Sequence, residues 1–327
     1  MADAQNRNPR YFPIDKGLYE VAPGLRPLGF DLGQGDFDKK IFQIDAQFSE
    51  FRKNKIASRK EKLGKYYATR DLRPAVEKAA VFFLIRRLPE ESPEIFTLEP
   101  GDAWTLLCRH TQDVIRVSHQ GELLDYRSSE DVGPQPTSAL DALALQVPED
   151  LALTSREGEK DWLSLLHLCS PSHWAAEDKI GLDFGAVHRP IPHIDKITRV
   201  SSQLVEAMIH KGPFVRFVWS FVTDQRLNHH PVAPPGWSQA EWKGRTFDLS
   251  QDCPFHFRVE RQVIWGLPEV QASLFTIRIS FWSGLEVKAH PVYRDQLLSA
   301  LRSMSPESRV YKGVQHCFDD LVNWLQS

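Results

Sequence analysis

An α+β fold built on antiparallel strands is what this sequence predicts, and three observations predict it. Three long segments rich in β-branched and aromatic residues lie close together, FVRFVWSFV (214–222), FHFRVERQVIW (255–265) and SLFTIRISFW (273–282), and such residues suit a pleated surface. Two further runs, DLALTS (150–155) and DWLSLLHLC (161–169), flank the polar turn REGEK and read as a hairpin. Apolar stripes at three- and four-residue spacing mark helices before and after these strands.

The elements follow in order. Residues 1–10 are polar and read as a flexible tail. From Tyr11 to Phe30 prolines and glycines interrupt both helix and strand, which gives an irregular wrapping segment. Lys39 to Tyr67 is helical in pattern through Ile41, Ile44, Phe48 and Phe51, with a restart at Pro74. AAVFFLIRRL (79–88) fits a buried helix end or a strand equally. A leucine-rich helix spans 138–146. Another follows Ser201 or Ser202 as N-cap, carries Leu204, Val205, Met208 and Ile209, and stops at Gly212-Pro213. After His290-Pro291 the chain is helical again, and Phe318, Leu321, Val322 and Leu325 form the stripe of a docked helix. The organisation is one body over 11–290 with C-terminal helices, 291–327, packed on it. LIRRLPEESPEIFTL (84–98) aligns with VIWGLPEVQASLFTI (263–277), either a duplicated strand-turn-strand unit or two hairpins that arose independently.

Composition narrows the function. Apolar residues make up 42 % and charged residues 25 %, ordinary values for a folded domain. A formal net charge of −3 without long charge runs gives no case for nucleic acid. No apolar leader and no membrane-length apolar run occur, so a soluble, unexported, cytoplasmic protein is expected. Cys108, Cys169, Cys253 and Cys317 are too far apart for zinc or cluster motifs and read as reduced, mostly buried thiols. There is no Walker A, G-x-G-x-x-G, G-x-S-x-G or H-E-x-x-H sequence. Any electrons this protein uses must come from elsewhere.

Two groups are left that can carry chemistry. If the link 266–272 closes symmetrically, Gln262 lies opposite Thr276, Glu260 opposite Arg278 and Arg258 opposite Ser280, all on one face. That row, flanked by Trp219, Trp265 and Trp282, is either a solvated sheet face or a pocket wall offering positive charge to an anion. The second group is His188 in DKIGLDFGAVHRPIPHI (178–194), where Pro190 and Pro192 stiffen the backbone just after it. It is either a ligand or a core histidine bonded to a carbonyl. His229-His230 and His193 read as loop surface.

The ordered blocks VPEDLAL (147–153), CSPSHW (169–174), DKIGLDFGAVHRPIP (178–192), RFVWSF (216–221), RVERQVIWGLP (258–268), LFTIRIS (274–280) and YKG (311–313) resemble the haem-dependent oxidative N-demethylase family, alpha subunit. The resemblance runs from about Tyr19 to the C-terminal helix. It implies a PAS-like fold enclosing haem b, and oxidative removal of a methyl group from a small secondary amine such as dimethylamine. Dioxygen and electrons would be consumed, the latter from partner reductase subunits carrying flavin and an iron–sulfur centre. By position it implies His188 as the iron ligand and Arg258, Arg261, Gln262 and Trp219 as cofactor-binding residues, with Glu260 and Arg278 catalytic. The alternatives are a haem-binding PAS sensor or carrier without turnover, and a haem-free interaction subunit. Val218 and Val263 stand where the family pattern has Asn and Thr, which bears on the substrate more than on the cofactor.

Overall fold

The computed structural model describes residues 8–327. Its strands are β1 (Arg26–Pro27), β2 (Tyr67–Thr69), β3 (Phe96–Glu99), β4 (Trp104–Cys108), β5 (Asp113–Val117), β6 (Leu123–Arg127), β7 (Asp150–Glu157), β8 (Lys160–His167), β9 (Phe214–Val222), β10 (His256–Leu267) and β11 (Ala272–Ser283). Its helices are α1 (Phe48–Tyr66), α2 (Pro74–Glu91), α3 (Ala139–Ala144), α4 (Ala176–Lys179), α5 (Phe184–His188), α6 (Asp195–Thr198), α7 (Ser201–His210), α8 (Gln239–Lys243), α9 (Gly284–Ala289), α10 (Pro291–Arg302), α11 (Pro306–Lys312) and α12 (Phe318–Gln326). One antiparallel sheet runs β1-β9-β10-β11-β7-β8-β2, and a second, smaller one runs β3-β4-β5-β6. The α+β class, the 150–169 hairpin and the three long strands are as the sequence predicts.

The β10–β11 register differs from the symmetric closure by one residue. Pro268–Val270 makes a single 3-10 turn and Gln271 takes a left-handed φ of 51°, so the strands close at Leu267↔Ala272. The pairs are therefore Arg258↔Phe281, Glu260↔Ile279, Arg261↔Arg278 and Gln262↔Ile277. A slip of one moves a whole set of side chains to the other face. The single charged row splits: Arg258, Glu260 and Gln262 project on one side, Arg261 and Arg278 on the other.

Other differences are local. Residues 79–88 lie inside α2, so the 84–98 stretch runs from a helix end into β3 and is not a second strand-turn-strand unit. The first long helix begins at Phe48, nine residues later than the stripe from Lys39 suggests; Ile41 and Phe42 are buried in a loop whose N–H groups bond the Glu91 carboxylate at 2.9 Å. After Phe51 the buried side of α1 is charged, with Arg52 paired to Asp113 and Arg59 to Asp141. Neither serine caps α7: its N-cap is Val200, without a side-chain bond, and Ser202 Oγ donates to Glu159 instead. The C-terminal helices start at Gly284, where Ser283 and Glu286 form a capping box. The flexible-tail expectation falls on residues 1–7, outside the described residues, and on 8–10; of the latter Pro9 is buried and Arg10 pairs with Glu286 and stacks over Trp282 at 4.0 Å.

One face of the large sheet is covered along its length. Val215, Val263, Leu274, Leu151, Leu153 and Leu165 pack under α2, α3 and the small sheet. Phe221, Phe257 and Val259 pack under α9, α10 and α12. The opposite face is covered only in part. α7 seats Val205, Met208 and Ile209 on Ile264, approaching so closely that a Cβ at Gly266 would lie 2.0 Å from the Ile209 carbonyl. The chain 170–200 and the loop 224–247 close over other parts, leaving Arg216, Val218, Phe275 and Phe281 half-buried on central strands. No helix among the described residues is long and apolar enough to cross a membrane.

Candidate functional site on the open face of the large sheet

Strand pairing places Arg216 opposite Gln262, Val218 opposite Glu260 and Ser220 opposite Arg258. These six line the partly covered face with Phe275, Ile277, Ile279 and Phe281. Glu260 accepts from Gln262 Nε2 at 3.0 Å and lies 3.8 Å from Arg258 Nε. Arg258 is fully buried and spends two N–H groups on the carbonyls of Leu227 (2.9 Å) and Ser170 (2.6 Å). Arg216 makes no hydrogen bond or ion pair with any described residue, and Arg245 only a 3.4 Å bond to the Tyr311 carbonyl. Lys312 of α11 donates to the Trp219 carbonyl and lies 4.7 Å over its ring, and burial, offset by Glu260, lowers its pKa to about 7. Arg216, Arg258 and Lys312 thus share one carboxylate, Glu260, with Arg245 acting on Arg258 and Lys312, and burial makes the charged form of each arginine costly. Such a surplus favours an anion, which guanidinium groups bind in bidentate fashion.

His188 ends the five-residue α5, which Asp183 caps by accepting from the Ala186 N–H. Its Nδ1 lies 2.7 Å from the Phe184 carbonyl, and its ring packs on that of Phe184 at 4.3 Å. A carbonyl only accepts, so Nδ1 carries the hydrogen and Nε2 presents a lone pair with no partner among the described residues. Burial pushes the pKa down to about 4; the Phe184 carbonyl opposes this, and Arg216 and Lys179 reinforce it. A neutral imidazole with its far nitrogen fixed by a carbonyl is how proteins prepare a metal ligand. Of the two readings open in the sequence, the structure shows the carbonyl bond and a free nitrogen together.

Phe184 also joins the α7 cluster with Ile264, Phe214 and Phe275, which sets His188 beside the Arg216 end of the sheet face. Two concavities open nearby. One, about 420 Å³, lies outside α5 against Ala186, Arg189 and His193; the other, about 430 Å³, lies between α1 and Arg226–Asn228.

Three of the expected site residues lie elsewhere. Arg278 is not opposite Glu260; it pairs with buried Asp45 at 2.7 Å and covers the Phe51 ring at 3.9 Å. Arg261 projects to the covered face and donates to the Lys40 carbonyl at 2.7 Å. Trp219, opposite Val259, packs on Phe257 and Phe221 in the second core. All three follow from strand parity. His229 and His230 are not loop surface: each is 1 % exposed. His193 is exposed, bonded to Ser305 Oγ at 2.8 Å.

Arg216, Arg245, Tyr311 and Lys312 are absent from the sequence-predicted set. Extending the pairing from β10 to β9 would have found Arg216, whereas Arg245 and α11 reach the face only through tertiary packing. Asp150, His167 and Cys169 bring potential ligand atoms within 4.8 Å of one another. Yet Asp150 already accepts from the N–H groups of Cys169 and Ser170, and burial raises the Cys169 thiol pKa far above neutral. Lys55 lies among them, donating to the Ala144 and Glu149 carbonyls. This is a hydrogen-bonded structural knot in which a second cation would meet an ammonium.

A family model described as haem-dependent oxidative N-demethylase, alpha subunit-like, matches residues 35–322. The chain belongs to that family. The match spans both sheets apart from β1, the strap carrying His188 and all but the end of the C-terminal helices, so the partly covered face lies inside it. Membership in the haem-dependent oxidative N-demethylase family makes haem the group to test against this face. The residues fit: among the described residues an imidazole nitrogen without a partner stands beside the unpaired Arg216 guanidinium, next to half-buried Val218, Phe275 and Phe281.

Proposed function

We propose that the open face binds haem b, with His188 Nε2 as the protein ligand to iron and Arg216 and Arg245 meeting the propionates. The loaded protein demethylates a small secondary amine of the dimethylamine kind to a primary amine and formaldehyde. Electrons come from partner subunits carrying flavin and an iron–sulfur centre, in the cytoplasm. The PAS-like reading of residues 11–290, with 291–327 as docked helices, belongs to the same proposal. One observation carries it: the neutral, carbonyl-fixed His188 beside the unpaired Arg216.

Haem, when bound, supplies the oxygen activation that no side chain can perform. The chain's own residues do the rest. The Phe184 carbonyl fixes the tautomer of His188 and raises its basicity. Glu260, steadied by Gln262 and Arg258, is the carboxylate available to orient a substrate ammonium. Val218, Phe275, Ile277, Ile279 and Phe281 keep the surroundings apolar and strengthen that attraction.

Haem titration followed by absorption tests this. The wild type is expected to give a Soret band and, with a reductant and dimethylamine, formaldehyde. His188→Ala should weaken haem binding by at least about a hundredfold, the upper end of the loss from removing groups that merely support a ligand. An unchanged spectrum in that variant reassigns the ligand; a spectrum without formaldehyde leaves a sensor or carrier.

A further inference from the structure

Behind Arg258 lie two imidazoles that the proposed reaction leaves unused. His173 and His229 stack at 5.3 Å with 28° between their planes. Backbone bonds lock them together: His173 N–H donates to the His229 carbonyl at 2.9 Å, and His229 N–H to the Pro171 carbonyl at 3.0 Å. His173 is held at a φ of 64°, an uncommon conformation for a side-chain-bearing residue.

The tautomers can be read from the partners. His173 Nε2 lies 2.9 Å from the Lys243 carbonyl, so it carries the hydrogen and Nδ1 is bare. His229 Nε2 lies 3.3 Å from Asp224 Oδ1 without a well-aligned hydrogen bond, and that carboxylate, held ionised by the nearby ring and by bonds from Arg226, favours the hydrogen of His229 on Nε2. Its Nδ1 is bare as well. Both Nδ1 atoms are buried without a partner among the described residues, and so are the Nε–H groups of Arg258 and Arg245. Arg258 acts electrostatically on both rings, and Arg245 on His173. Bare ring acceptors and unspent arginine donors that act on those rings are the kinds of partner an ordered water requires.

We propose that His229, backed by Asp224 and paired with His173, is a relay that takes a proton from the site through ordered water and passes it to solvent. The inference rests on the demethylase reading, because that reading names the proton. A methyl group oxidised at carbon becomes a hydroxymethyl ammonium, CH3NH2⁺–CH2OH. Its hydroxyl proton must go to a base; the O–H pair then closes the C=O bond, and the C–N pair leaves on nitrogen. Methylamine and formaldehyde result, one proton having left. Bare Nδ1 receives that proton, the Asp224 carboxylate stabilises the imidazolium while staying ionised, and Nε2–H then passes to solvent beside Asp224, which is 34 % exposed. Arg258 lies between the relay and Glu260, which holds the substrate nitrogen.

The same cleavage run backwards joins formaldehyde to methylamine without electrons or dioxygen, so it can be followed at equilibrium by NMR exchange. The haem-loaded wild type is expected to accelerate that exchange. Asp224→Asn and His229→Ala should slow it on the order of a hundredfold, as for loss of a positioned acid–base group. Added imidazole should restore His229→Ala, and the haem spectrum should stay the same in both variants. Nitrogen-15 shifts should show Nε2–H in both rings of the wild type. Exchange undiminished in both variants, or either ring protonated at Nδ1, overturns the relay. A wild type that forms no formaldehyde when reduced under air overturns the demethylase reading instead.

Discussion

On the covered face of the large sheet Arg261 and Arg278 stand directly opposite each other, yet each is drawn to its own acceptor, Arg278 to the Asp45 carboxylate and Arg261 to the Lys40 carbonyl. On the other face, among the described residues, Arg216 has no acceptor, Arg245 has one long bond, and the outer nitrogen of His188 has no partner. Arg261, Arg278 and Arg216 all stand on neighbouring strands, β10, β11 and β9. The difference lies in what the rest of the chain brings to them. Charge matched from within holds a fold together, and charge left unmatched awaits something from outside.

Removing the internal match should have the largest effect. Asp45→Ala leaves the Arg278 guanidinium buried and unpaired and is expected to cost about 3–5 kcal/mol in urea unfolding. A loss well under that would mean that the covered face is no better balanced than the open one. Arg216→Gln should act the other way round. Haem binding is expected to weaken by about 1.5–3 kcal/mol, the worth of hydrogen bonds to a charged group, while the haem-free protein unfolds no more easily than wild type. If Arg216→Gln destabilises the haem-free protein as Asp45→Ala does, the contrast between the faces is gone.

The smallest effect sharpens the comparison by pH. Burial brings the pKa of His229 from 6.5 down to about 4. Between those values the unfolded ring binds more protons than the native one. Its contribution is therefore intact above 6.5 and lost as pH falls toward about 4. At pH 5 the wild type should have lost about 1–2 kcal/mol more than His229→Gln, relative to pH 7. The measurement must be this difference, because burial raises Glu149 to about 7 and Asp150 to about 6, and their contributions change in the opposite direction over the same range.

Much of the fold was legible because local patterns dictated it. Alternating β-branched and aromatic residues marked β9, β10 and β11, and a polar turn between apolar runs marked the β7–β8 hairpin. The small sheet, by contrast, went unread: its strands are four or five residues long, as in Asp113–Val117, and short runs carry little periodicity. Around the site, His188 was found through its stiff proline-flanked segment. Arg278 was misplaced because the turn is tighter than the symmetric closure assumed, and Arg216 was missed because the pairing was not carried on from β10 to β9.

The sequence by itself determined the class, the long strands β7 to β11, the absence of nucleotide and hydrolase motifs, and the residue types that can meet an iron and an anion. Tertiary structure alone decided which face each charge occupies. That choice depends on the closing pair of one four-residue turn, where a shift of a single position reverses every side chain. It decided too which charges meet a partner, because Asp45, the Lys40 carbonyl, Arg245 and α11 are brought in from distant parts of the chain, and no local pattern encodes that encounter.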